Sequence, residues 1–158
     1  MKVVTGEYYG CSPGEIWREY LHYCYVTRGT ELSEARSWTE ANSQCRKIGA
    51  ELVSISDFYE NDFLLSVLRF IQNSSLWIGL NDLRTDGLYT WADGSPVRFT
   101  YWDYEQPANF DREHCVEIMR EHGHWDSQAC DTQLPYVCKT TKKLHKGTTQ
   151  HSDDGCPP

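Results

Sequence analysis

No two cysteines of this 158-residue chain stand in Cys-x-x-Cys spacing, which removes zinc-ribbon and thioredoxin-like readings. No stretch approaches the roughly 20 apolar residues that cross a bilayer, and KVVTGEYYG after Met1 lacks the apolar run of a signal peptide. Basic charge is also short: Lys and Arg total 15 against 23 Asp and Glu, a formal net charge of −8. Binding to nucleic-acid phosphates or anionic lipid draws on clustered cations, so neither a nucleic-acid partner nor membrane contact from this segment is expected. What is present is globular in composition, 39% hydrophobic and 13% aromatic with six Trp and ten Tyr, enough for one core in one domain of ordinary size.

Cys11, Cys24, Cys45, Cys115, Cys130, Cys138 and Cys156 are spread along the chain, and disulfides in an oxidising compartment are their simplest use. Connectivity stays open on spacing alone, since six cysteines allow about 15 pairings and setting one of seven aside raises that to about 105. With no leader in the sequence, a fragment of a larger secreted or cell-surface protein is expected, placing the chain extracellularly.

From Ser33, Ala35, Trp38, Ala41, Cys45 and Ile48 fall near helical spacing, with Ser33 able to cap the amino end and Gly49 the carboxyl end. After a strand-like AELVSI, Asp57 and Glu60 form a capping-box pattern, and Phe63, Leu64, Val67, Leu68 and Ile71 mark the buried stripe of a second helix. The period then changes: Leu76–Leu80, Val97–Tyr101, Cys115–Met119 and Pro135–Cys138 read as strands. Helices first and strands afterwards predict an α+β domain rather than βαβ units. Between Trp91 and Trp125 the segments ADGSP, EQPANFD and EHGH predict a long irregular loop region, the first place to look for binding. The polar segment from Thr140 predicts a linker without regular structure. Cys156-Pro157-Pro158 repeats the Cys-x-Pro of Cys11-Ser12-Pro13, as the start of a further copy would.

These landmarks together form a pattern: the helix ending in Cys45, AELVSI, Trp77-Ile78-Gly79-Leu80, Trp91-x-Asp93-Gly94-x-Pro96, Cys115-Val116-Glu117-Ile118, Trp125, Cys130 and Leu134-Pro135-Tyr136-Val137-Cys138. The pattern resembles a C-type lectin-like domain over residues 11–139, with 1–10 as an N-terminal flank and 140–158 as a linker toward a following domain. The resemblance implies a disulfide-stapled α+β double-loop fold with two helices, antiparallel sheets and a long irregular loop region. It implies the pairs Cys45 with Cys138, Cys115 with Cys130 and, in the long form, Cys11 with Cys24, leaving Cys156 unpaired. Linker and repeated Cys-x-Pro resemble the multi-domain mannose receptor family, with neighbouring domains of the same chain as partners.

Sugar-binding members of the family hold calcium with side-chain oxygens of the long loop and the next strand, and calcium takes six to eight hard oxygens. Where the family carries Glu-Pro-Asn or Gln-Pro-Asp, this chain reads Gln106-Pro107-Ala108, and Ala108 offers no oxygen. The Trp-Asn-Asp signature reads Trp125-Asp126-Ser127, and Glu113 stands at an expected glutamate ligand, so Glu113 and Asp126 are the strong donors left. At the auxiliary calcium position Asp82 and Asp86 match the family, but His114 replaces an aspartate. Ligand counting therefore argues against an obligatory cofactor and for a loop face that binds a protein.

The candidate ligand-binding residues are Trp102, Tyr104, Glu105, Gln106, Asn109, Phe110 and Glu113, with Tyr104 and Phe110 at the loop tip the stronger contact candidates and Trp102, like Trp125, also readable as a core residue. The alternatives are a calcium-dependent glycan lectin using Glu105, Asn109, Glu113 and Asp126, and a spacer domain with no ligand of its own. His114, His122 and His124 invite a zinc reading, but turn histidines without further partners explain them. Glu105, Asp111, Glu113 and Glu117 show no fixed separation that would make a glycosidase pair, and no enzyme is expected. Asn73-Ser74-Ser75 is an N-glycosylation sequon.

Overall fold

The structure is a computed structural model describing residues 3–72, 75–108 and 110–150; Asn73, Asn109 and Cys156 lie outside the described residues. Three strands precede the helices, contrary to the helix-first order expected. Strand β1 (Val3–Gly10) is followed by a hairpin of β2 (Arg18–Tyr20) and β3 (Tyr23–Arg28). Helix α1 (Trp38–Lys47), β4 (Glu51–Leu52) and helix α2 (Phe58–Leu68) come next. Then follow β5 (Ser75–Asn81), β6 (Thr90–Trp91), β7 (Cys115–Met119), β8 (Trp125–Gln128), β9 (Tyr136–Thr141) and β10 (Lys143–Gln150).

The main sheet runs β2-β3-β9-β5-β7-β8, with β4 paired to β9 and β6 to β5. Strand β1 pairs antiparallel with β10, from Val3 opposite Gln150 to Gly10 opposite Lys143. The segment after Thr140, expected as an unstructured linker, therefore continues as strand, and the N-terminal flank is its partner. Polar strands of this kind escape a hydrophobic pattern because backbone hydrogen bonds form them. Tyr8 stacking on His145 at 5.0 Å adds a cross-strand contact.

Helix α1 begins one turn later than the Ser33 cap predicts. Ser37 is the N-cap, its hydroxyl accepting from the Glu40 amide while the Glu40 carboxylate accepts from the Ser37 amide, a complete capping box. Its end is closed by Gly49 at φ 73°: the Gly49 amide donates to Arg46 and the Ala50 amide to Cys45. In α2 the Asp57 carboxylate caps the Glu60 amide at 2.8 Å, but the box is only half made. Glu60 turns inward instead, accepting from Tyr25 Oη at 2.7 Å, from the Ser56 amide and hydroxyl at 2.8 Å each, and from buried Lys139. Removing one partner of such a buried pair strands the other charge, typically at about 3–5 kcal/mol.

All seven residues of β5 are buried, because both faces of this strand are covered. Leu76, Ile78 and Leu80 join Leu64 and Leu68 of α2, Val116, Ile118 and Trp125 in one cluster, while Trp77 points the other way into a cluster with Trp38, Ala41, Cys45 and Leu52. Gly79 shares the Trp77 face, and a Cβ there would lie 2.7 Å from the Leu52 carbonyl oxygen, so the close crossing of β4 admits only glycine. The structure closes three disulfides, Cys45–Cys138 joining α1 to β9, Cys115–Cys130 bracketing β7 and β8, and Cys11–Cys24 tying the chain before β2 to β3.

Candidate functional site

The chain leaves β6 at Trp91 and returns at β7, and the intervening segment is irregular. Val97–Tyr101, expected as a strand, makes no ladder; the segment touches the sheet through one bridge between Trp102 and Trp125. Its alternation is real but serves packing: Phe99 and Tyr101 stack on each other, and Phe99 meets Trp125 edge-on at 5.6 Å. Trp125 is the post on which the loop hangs. It is fully buried, its indole donates to Asn61 Oδ1 at 2.8 Å, and its backbone bonds Tyr101 and Asp103. Trp102 is half-buried against Tyr89 and Trp125, more support than contact surface.

At the loop tip Tyr104 is 86% exposed and Phe110 69% exposed, with Glu105 beside them at φ 59°. The Gln106–Pro107 peptide bond is cis. Gln106 turns back under the loop: its Oε1 accepts from the amides of Ala108 at 3.0 Å and Ser127 at 3.1 Å and lies 3.0 Å from the Ser127 hydroxyl. The same hydroxyl is 3.1 Å from Glu113 Oε2 and 2.9 Å from the Ala108 amide. A hydroxyl has one proton, so Ser127 serves either Gln106 or Glu113, but every contact is protein to protein. The sequence made Gln106 a candidate ligand-binding residue; its contacts with Ser127 were hidden, because Ser127 lies 21 positions away.

Asp126 lies on β8 opposite Glu117 of β7. Its Oδ1 is buried with no partner among the described residues, and burial, followed by the Asp103 carboxylate, holds its carboxyl above the ordinary range. Burial likewise raises Glu117, which accepts from the Ser75 hydroxyl at 2.6 Å. Among the described residues, which omit Asn109, the donor set at the family's sugar-type calcium position does not fit that ion. Ala108 contributes no side-chain oxygen, Ser127 is neutral and the Gln106 oxygen is turned to amides, leaving Glu113 and Asp126 as the carboxylates.

At the auxiliary position Asp82 is buried and Asp86 exposed, with His114 Nδ1 3.0 Å from Asp82 Oδ1 and 3.9 Å from Asp86 Oδ1. Asp82 Oδ2 also accepts from the Gly87 amide at 2.8 Å. Burial, Asp82 and Asp86 push the neighbouring Tyr89 hydroxyl up to about 12. Among the described residues these three side chains form one group of close metal-type ligands, and Asp103, His122 and His124 form the other. The expectation of turn histidines without further partners is corrected: His114 lies with Asp82 and Asp86, while His122 and His124 lie near Asp103, which sequence distance had concealed.

The site is thus a disulfide-pinned α+β scaffold holding an irregular, clasped loop over a buried tryptophan. The chain belongs to the C-type lectin domain family, whose model matches residues 34–140. Among curated proteins it is 36% identical over 148 residues to C-type mannose receptor 2 of Rattus norvegicus, covering 92% of this chain and 10% of that protein. It is 33% identical over 132 residues to Lectin BRA-3 of Megabalanus rosa, covering 80% of this chain and 77% of that one. The cow C-type carbohydrate-recognition domain of CD23, solved in the presence of a GlcNAc2Man3 oligosaccharide, superimposes with a TM-score of 0.73 at 29% identity, covering 84% of this chain and 97% of that one. The chain thus spans about a tenth of the length of the mannose receptor relative. Its disulfides fit an oxidising compartment, and no helix among the described residues is long and apolar enough to cross a membrane.

Proposed function

We propose that this chain is one recognition module of a larger extracellular receptor and that its long-loop face binds a protein ligand without obligatory calcium. The observation that carries this reading is the Gln106 clasp: an oxygen that a sugar-type calcium site would turn to the ion is given to the Ala108 and Ser127 amides. Beside it, exposed Tyr104 and Phe110 offer rigid aromatic area of the kind that anchors protein interfaces. Similarity to proteins named as lectins favours a second reading, a calcium-dependent glycan site built on Glu105, Asn109, Glu113 and Asp126. Asn109 and the sequon at Asn73 enter these readings from the sequence alone.

Screening the chain against a glycan array and an array of secreted and ectodomain proteins, each with calcium and with chelator, separates the readings. The proposal expects a protein hit that survives chelator and is lost in a Tyr104→Ala, Phe110→Ala double variant. Glycan binding abolished by chelator and by Glu113→Ala would replace it with the lectin reading. A hit indifferent to both aromatic residues would move the binding face elsewhere, and silence on both arrays would favour the spacer.

A further inference from the structure

We infer that Asp103, His122 and His124 form a binding site for a divalent transition metal of the zinc class, separate from both calcium positions of the family. One ligand atom from each of the three side chains lies within 4.8 Å of the others. Tetrahedral zinc with bonds of about 2.0–2.1 Å sets its ligands some 3.3 Å apart, so the group closes on an ion through small side-chain rotations. Two imidazoles and a carboxylate suit zinc, copper or nickel, whereas calcium demands oxygens.

The site is held from below. Gly123, between the histidines, is buried at φ 74°, and its carbonyl accepts from the buried Asn61 amide at 2.9 Å. The Gly123 amide donates to Met119 at 2.8 Å and the Met119 amide to His124 at 2.9 Å, fixing the hairpin. Tyr101 stacks on the His124 ring at 4.1 Å and 12°. Asp103 is fixed by its amide, 2.9 Å from the Trp125 oxygen, while its Oδ1 accepts from the Tyr104 amide at 2.8 Å. Its Oδ2 faces His122 Nε2 at 3.6 Å.

The histidines already share a proton where an ion would sit. His122 Nδ1 accepts from the His124 amide at 3.1 Å and lies 2.9 Å from His124 Nδ1, so the His124 nitrogen supplies the hydrogen of that contact. A bound cation replaces that hydrogen, the His124 proton moving to Nε2 of the same ring, and takes the His122 Nδ1 lone pair from the His124 amide.

Zinc chloride titrated into the full chain by calorimetry, with ring-nitrogen NMR of the histidines, tests the site. The expected result is one zinc per chain, perturbed His122 and His124 ring signals, and affinity at least about tenfold weaker in Asp103→Asn and in His122→Ala. Both residues are partly exposed, and an unchanged melting curve for each variant shows that the fold survives. Absence of binding overturns the inference. So does zinc that perturbs His114 and is lost in His114→Ala while His122→Ala binds normally, since the ion would then sit with Asp82 and Asp86.

Discussion

The sheet strands β9, β5 and β7 and the segment from Ala92 to His114 are neighbours in one small domain, yet different forces determine them. In the first, largely apolar runs are buried on both faces of the sheet. In the second, conformation rests on a few polar atoms: the Trp125 indole on Asn61, the Gln106 oxygen on two amides, and the Asp103 amide on the Trp125 carbonyl. A region held by burial tolerates exchange among apolar side chains of similar size, whereas one held by single acceptors loses its shape when one atom changes. Recognition surfaces belong in the second kind of region, since its side chains can vary without touching the core.

The largest disruption of this contrast is removal of Cys45–Cys138, which spans 93 positions and joins α1 to the central sheet. In the chain-entropy model a loop of that length contributes about 4–5 kcal/mol, so a Cys45→Ala, Cys138→Ala variant is expected to be largely unfolded by circular dichroism. Next is Asn61→Ala, where the two regions meet. It strands the buried Trp125 indole and the Gly123 carbonyl together and is expected to cost about 2–4 kcal/mol in urea denaturation.

Smaller and local is Gln106→Ala. It leaves the core intact, costs about 1–2 kcal/mol, and accelerates hydrogen exchange at the Ala108 and Ser127 amides while those of β5 keep their protection. Smallest is a pH effect at the seam between the regions. Burial raises the Glu117 carboxyl above its ordinary 4.5, so the folded state resists its ionisation. The stability linked to this group is full below 4.5 and is lost as pH rises through the folded value. Glu117→Gln should therefore melt higher than the parent at pH 7, with the gap closing as pH falls, in paired thermal scans.

What the sequence disclosed follows the same division. The two helices were legible because one-sided burial writes itself as periodicity, and β5 because burial on both faces writes itself as a continuous apolar run. The ladder of β1 and β10 was not, because backbone hydrogen bonds hold it and its side chains are mixed. Val97–Tyr101 misled for the opposite reason: its aromatic residues are partly buried against Trp125, so it alternates like a strand without pairing as one. Glu60 kept its capping spacing and spent its carboxylate on Tyr25, Ser56 and Lys139. At the site, the exposure of Tyr104 and Phe110 was readable from their place in a polar loop, while the Gln106 clasp and the Asp103–His122 contact join positions about twenty residues apart, a separation no local pattern reports.

On the proposed reading the long loop is kept in shape by its own hydrogen bonds rather than by calcium. Thermal melting of the chain in millimolar calcium chloride and in excess EGTA tests it most directly, with loop amide exchange followed in both. Coincident melting curves and equal protection at Ala108 and Ser127 are expected; a melting point several degrees higher in calcium, with protection gained at those two amides, would contradict a loop held by its own bonds.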